Sequence, residues 1–279
     1  MSACVAVSLV TLAAGGSQNG GTITRTLRFA GSGERMLDVR TINGSIRVTG
    51  YDGSDVHMDV RKTIDADRDE DRQAAEKEVS LEFEDGSSRV AAIVREPSSQ
   101  ICGEPNEGTR WRYRGYSVKF DFTIQVPRNT RLRLCTINGG SLRVDGTNGD
   151  FRVDNVNGRV VMTGIRGSGS AHTVNGPVDV TFLESPRTAS SFKTVNGNIE
   201  VTFPSSLSAD LKLKTFHGGL LTDFDYQPLP PEAPDPGTRR DGRYVYRSND
   251  FTRVRVGRGG PEIAFETLNG DVRVLRAAR

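Results

Sequence analysis

Histidine, cysteine and tryptophan are scarce in this chain, at three, three and one, and their scarcity excludes chemistry. His57, His172 and His217 lie far apart and form no His-x-His or His-x-x-x-His pair, so neither a zinc site nor a His-based catalytic dyad is expected. Charge of one sign is also missing. Thirty-seven basic residues face 35 acidic ones, a net charge of +2, so no global field recruits nucleic acid or an anionic membrane. No segment is long and apolar enough to span a bilayer. There is no phosphate-loop word, and Gly167-Ser168-Gly169-Ser170 lacks the strand-to-helix setting of a nucleophile elbow. Asp145 and Asp154 stand nine apart, but Thr163 and His172 follow in that slot, too sparse a pattern for a calcium β-roll. No metal, cofactor or catalytic residue is expected.

Glycine is what the chain has in excess: 31 residues, well above the usual share. Five of them, Gly140, Gly149, Gly158, Gly167 and Gly176, stand nine residues apart. Two and four residues beyond each repeat glycine the sequence is apolar: Ile46 and Val48, Leu142 and Val144, Phe151 and Val153, Val160 and Met162, Val178 and Val180, Ile199 and Val201, Val272 and Val274. The residue between them is mostly charged, as at Arg47, Arg152, Asp179 and Glu200. Each unit therefore reads as a short strand with one buried and one wet face.

Around the glycines sits a four-residue word: Thr41-Ile42-Asn43-Gly44, Thr136-Ile137-Asn138-Gly139, Asn155-Val156-Asn157-Gly158, Thr173-Val174-Asn175-Gly176, Thr194-Val195-Asn196-Gly197 and Thr267-Leu268-Asn269-Gly270. Asn and Gly best tolerate positive φ, so the word predicts corners, with Asn side chains able to stack in a ladder. These residues read as structural turns. The second letter continues the apolar alternation across the corner. Asn-Gly also suits hairpins, which would give an antiparallel meander. The even strands, and recurrence of the word at 19, 18 and 21 residues, favour an all-β solenoid of paired nine-residue strand-turn units.

The run Cys4 to Ala14, followed by the Gly-rich stretch at 15–21, has the pattern of a signal-peptide h-region and cleavage zone, although a positive n-region is missing. Residues 1–21 are thus read as signal peptide and linker, and 22–279 as a single β-solenoid domain with insertions at about 64–126 and 227–243. Export to the periplasm, cell surface or medium is expected; without a working signal the chain is cytoplasmic. In an oxidising compartment Cys102 and Cys135 form a candidate disulfide, two unrelated thiols being the alternative. The first insertion, which breaks the rhythm, holds Arg110 to Lys119, where Trp111 and Tyr113 alternate with Arg112 and Arg114. On a strand the aromatics would share one face, able to stack on sugar rings, or simply to cover the solenoid flank.

The Phe120 to Pro127 strand, the Asn129-Thr130 that follows it and the run of Thr-Val-Asn-Gly words resemble bacterial β-strand-repeat proteins of unknown function described as putative adhesins. Val39 to Val60, with Thr-Ile-Asn-Gly and then Tyr-Asp-Gly, is similar to the opening of that family. The resemblance implies a solenoid-like, all-β envelope or extracellular protein. It implies no catalytic residues. The reading is a non-enzymatic adhesin or interaction scaffold, its partner unknown, with a glycan, an envelope polymer or a protein surface as candidates. Two alternatives stand beside it: a carbohydrate-active enzyme on a parallel β-helix, for which paired acids such as Asp150 and Asp154 or Asp223 and Asp225 are the raw material, and a cytosolic scaffold or regulator.

Overall fold

The alternating segments form strands throughout a computed structural model that describes residues 20–31, 33–97, 115–138, 140–231, 238–240, 243–245 and 251–278. In chain order the first insertion and its flanks give β1 (Gly20–Arg28), β2 (Arg35–Arg40), β3 (Ile46–Tyr51), β4 (Asp55–Ala66), α1 (Asp69–Glu78), β5 (Ser80–Asp85), β6 (Arg89–Arg95) and β7 (Tyr116–Pro127). The repeats give β8 (Thr130–Cys135), β9 (Leu142–Asp145), β10 (Phe151–Asp154), β11 (Val160–Ile165), β12 (Gly169–His172), β13 (Val178–Phe182), β14 (Ser190–Lys193) and β15 (Ile199–Phe203). The C-terminal part adds β16 (Ala209–His217), β17 (Leu220–Thr222), β18 (Tyr226–Pro228), β19 (Thr238–Arg240), β20 (Arg243–Val245), β21 (Thr252–Val256), β22 (Glu262–Asn269) and β23 (Val272–Arg276).

These strands build two large mixed sheets and a separate β19–β20 hairpin. Sheet I has the order β1-β4-β7-β3-β9-β11-β13-β15-β23-β17, and sheet II the order β18-β21-β16-β22-β14-β12-β10-β8-β2-β6-β5. Successive repeat strands alternate between the sheets. Pairing within the repeats is parallel and in register, so that Leu142, Val160, Val178, Ile199 and Val272 align across sheet I. Parallel pairing excludes the antiparallel meander, because a two-residue hairpin can join only antiparallel neighbours. Antiparallel pairs occur where the repeat is broken, as β1–β4–β7 and β5–β6 at one end and β16–β21–β18 at the other.

The inner faces meet in an apolar core. Phe182 stacks on Phe203 at 5.1 Å and Phe192 on Phe265 at 5.4 Å, with Phe182 edge-on to Phe192 at 6.0 Å. Gly169 and Ala171 occupy the apolar slots of β12, beside Phe151 and Phe192 on the strands to either side. Their small size leaves room for the rings, and each fully buried ring contributes about 1.5–3 kcal/mol.

α1 is acidic in its first turn, at Asp69, Glu70 and Asp71, which suits the positive end of the helix dipole. It buries Ala75 against the antiparallel strands. Beside β6 the Asp38 carboxylate is fully buried and bonded by Arg40 and Arg89 at 2.8 and 2.9 Å. Burial alone would raise its pKa; the two guanidiniums more than reverse that and hold it below the ordinary carboxylate value.

Candidate functional site

The word that marks the sequence lies along one edge of the two sheets, where the chain passes from sheet II to sheet I. Its Asn side chains form a ladder: Asn157 donates to Asn138, Asn175 to Asn157 and Asn196 to Asn175 at 2.8 Å each, and Asn269 donates to Asn196 at 2.7 Å. His217 extends it, its Nδ1 lying 3.0 Å from Asn269 Oδ1. Asn43 joins through a backbone bridge to Asn138.

The first letter is fixed as firmly as the third. Thr136, Thr173, Thr194, Thr267 and Thr215 each donate a hydroxyl hydrogen bond of 2.8–3.0 Å to the glycine carbonyl of an adjacent corner. The fourth letter must be glycine twice over. Gly44, Gly158, Gly176, Gly197 and Gly270 have φ between +129° and +159°, and a Cβ on Gly176 would lie 2.4 Å from the Gly158 carbonyl oxygen.

The second letter departs from expectation. Ile42 is buried, but Val174 and Val195 are 37% exposed, Leu268 45% and Phe216 70%. The corner turns this side chain outward, next to the ladder, instead of continuing the buried alternation.

Of the other sequence-derived residues, Trp111, Arg112, Tyr113, Arg114, Cys102 and Gly139 lie outside the described residues, as does the N-terminal run through residue 19. Cys135 is buried at the end of β8 and is disulfide-bonded. Among the described residues no group of three or more His, Cys, Asp or Glu is placed to hold a metal ion. No described helix is long and apolar enough to cross a membrane.

Stacking also assembles groups that are distant in sequence. On the outer face of sheet II, Asp154, His172 and Ser191 stand on three consecutive strands: Asp154 Oδ1 is 3.5 Å from His172 Nδ1, and His172 Nε2 is 3.0 Å from Ser191 Oγ. Arg152 also holds Asp154, at 2.9 Å. Burial pushes the Asp154 pKa up, but the neighbouring His172 and Arg152 outweigh it and hold it below the ordinary carboxylate value.

The opposite edge, where the chain returns from sheet I to sheet II, carries a two-lobed cleft. One lobe of about 310 Å³ is lined by Met36, Arg131, Arg133, Arg152 and Ala189 among others, and the second, about 470 Å³, by Asn148, Arg166, Glu184 and Arg187. Asp150, Ser168 and Thr188 border both. Gly149 and Gly167 stack at this edge as the corner glycines do at the other, a Cβ on Gly167 meeting the Gly149 carbonyl oxygen at 2.1 Å. The next connection from sheet I to sheet II has no glycine there; it bulges through 183–189 and forms a wall of the cleft. Ser168 Oγ accepts from the Arg187 and Thr188 amides at 3.0 and 3.2 Å, and Arg166 bridges Asn148 and Glu184 at 3.1 and 3.2 Å. The sequence signals were the glycine-rich unit at Gly167 and the stretch of the word spacing from 18 to 21 residues.

No family model and no curated protein matches the chain. Solved structures similar to it include a "putative cell adhesion protein" from Clostridium sporogenes, at 7% identity and TM-score 0.45 over 92% of this chain and 100% of that one. A "putative adhesin" from Bacteroides fragilis is 9% identical with TM-score 0.32, over 92% and 97% of the two chains. A "putative lipid binding protein" from Parabacteroides distasonis is 9% identical with TM-score 0.28, over 93% and 98%. Likeness at these scores assigns no function to the chain.

Proposed function

We propose that residues 22–279 form one flattened, two-sided β-solenoid that acts as a non-enzymatic interaction scaffold outside the cytoplasm, with the adhesin-like role of holding an envelope polymer or surface. One observation carries this reading. One edge of the stack is uniform and self-bonded, while the other varies from coil to coil and holds the cleft, an arrangement in which a rigid frame displays a variable binding edge. The disulfide at Cys135 supports an oxidising compartment. The test is a pull-down of the purified protein with cell-wall sacculi and envelope polysaccharides. Binding should survive Val195→Glu/Leu268→Glu on the ladder edge and fall with Glu184→Ala/Arg187→Ala on the other. Failure to bind any of these polymers, or the reverse pattern among the variants, sinks the proposal.

The Asp154–His172–Ser191 line favours a second, hydrolytic reading, since a His that reaches both a carboxylate and a hydroxyl is the pattern of an activated serine. Its carboxylate link, at 3.5 Å, is longer than a hydrogen bond. Labelling of Ser191 by a fluorophosphonate, abolished in His172→Ala, would establish that reading; an unlabelled protein would dismiss it.

A further inference from the structure

The cleft on the irregular edge points to a ligand class. Arg133 and Arg152 stand directly opposite each other on the outward faces of β8 and β10, and on the other side of Arg133 the register places Asp38 of β2; like charges directly opposite each other repel across a sheet. Arg152 has its Nε on Asp154 at 2.9 Å. Arg133 has no ionic partner among the described residues. Arg131, two residues earlier on the same face, reaches Glu34 at 3.3 Å and lines the same lobe. Three arginines thus line one concavity, and a planar oxygen pair placed between Arg133 and Arg152 would accept from Arg133 and from the Arg152 nitrogens that Asp154 does not engage.

The rest of the lining does not suit a bare anion. Asp150 borders both lobes, and one of its oxygens accepts the Ser168 amide at 2.9 Å. A carboxylate so close to the arginines repels an isolated anion but accepts hydroxyl hydrogen bonds. Thr188 and Glu184 add polar groups along the second lobe, and Met36 and Ala189 give the first an apolar flank. Each lobe falls in the lower half of the range for small-molecule sites, about 300–1,000 Å³. The pattern is an anion, hydroxyl donors on the same ring, and an apolar ring face.

We propose that the cleft binds an acidic polysaccharide through its uronate residues, the carboxylate seated between Arg133 and Arg152 and ring hydroxyls donating to Asp150. Inorganic phosphate shares the anion but carries no ring hydroxyls. The proposal rests on the scaffold reading and gives that binding edge a ligand.

The test is calorimetric titration with tetragalacturonate, with its methyl ester and with inorganic phosphate, using wild type, Arg133→Gln/Arg152→Gln and Asp150→Asn. Melting curves show that the variants remain folded. Binding of the acid with at least tenfold preference over the ester and over phosphate, lost at least tenfold in the double variant and several-fold in Asp150→Asn, supports the proposal. Equal binding of acid and ester, preference for phosphate, or full binding by the double variant overturns it. If tetragalacturonate does not bind while wild type and double variant capture sacculi equally well, the ligand class fails and the scaffold reading stands. If neither binds any polymer, both fail.

Discussion

The two edges of the stacked sheets are built from the same nine-residue period and have opposite characters. Where sheet II passes to sheet I, the connections at 41–45, 155–159, 173–177 and 194–198 are each five residues and that at 136–141 is six, and all carry the word, with Asn155 in place of Thr in one of them. Where sheet I passes back to sheet II, they run from 166–168 to 183–189, and both long insertions, between β3 and β8 and between β15 and β22, leave the repeat after a sheet I strand and return to it at a sheet II strand. The difference shows which residues are committed to the frame. On the ladder edge Thr, Asn and Gly each have a bond or a close approach to a neighbouring corner, so a change in one corner strains the next. On the other edge the glycine column ends at Gly167, and beyond it the connection is free to vary.

The sharpest way to break this comparison is to injure each edge equally. Gly176→Val forces a β-branched residue into φ +153° with its Cβ 2.4 Å from a carbonyl oxygen, and should cost about 4 kcal/mol or more. A Gly-Ser insertion between Glu184 and Ser185 should cost less than about 1 kcal/mol, since loop entropy grows slowly with length. Urea unfolding with unchanged m-values measures both. Similar losses would mean that the edges are equally constrained.

The disulfide comes next in size. Cys135 stands where β8 runs into the ladder edge, and we propose Cys102, within the first insertion, as its partner. Reduction, or Cys135→Ser, should lower stability by about 2–4 kcal/mol. Non-reducing peptide mapping should recover the Cys102–Cys135 pair; recovery of both as free thiols would remove the tie between insertion and ladder.

A smaller contrast uses one substitution twice. Thr194 is buried and donates to the Gly176 carbonyl at 2.8 Å, whereas Thr188 is an exposed residue of the cleft wall. Thr194→Val should cost about 1–2 kcal/mol, because it leaves that carbonyl unpaired; Thr188→Val should stay within about 0.5 kcal/mol. Thermal melts of the pair test whether the first letter of the word belongs to the frame.

Much of the frame was legible in the sequence, because its determinants are local and repeated. The apolar residues two and four beyond each glycine do form the inner faces, and Asn-Gly does mark the corners. Parallel pairing was not legible from Asn-Gly alone, since the same dipeptide serves hairpins; the even recurrence of the word had to decide. The outward turn of Val174, Val195 and Leu268 was hidden for another reason: an apolar β-branched or aliphatic residue looks the same on either side of a corner. The cleft was the least legible feature. Arg133, Arg152, Ser168 and Thr188 become neighbours only through stacking, and no two of them share a motif.

Acid provides the finest test of the ladder edge. Asp271 Oδ1 accepts the Gly219 amide at 2.9 Å, and Arg273 bonds its second oxygen at 3.0 Å. That backbone bond, followed by the Arg273 interaction, holds its pKa below the usual carboxylate value. At the other end, burial pushes Asp121 up, but the Ser45 hydroxyl and amide, with Lys119, outweigh it and leave its pKa lowered as well. For both groups the folded-state pKa lies below the unfolded one, so the unfolded chain takes up protons first as pH falls. Their contribution is complete above the ordinary value near 3.8 and is lost as pH drops through the lower folded values. Melting temperatures of wild type should therefore fall as pH drops below about 4, and Asp271→Asn/Asp121→Asn, less stable at neutral pH, should show a shallower fall. A double variant whose melting temperature declines as steeply as wild type would mean that these corners do not sense acid, and that the acid sensitivity of the stack lies elsewhere, first of all in the buried Asp38 cluster.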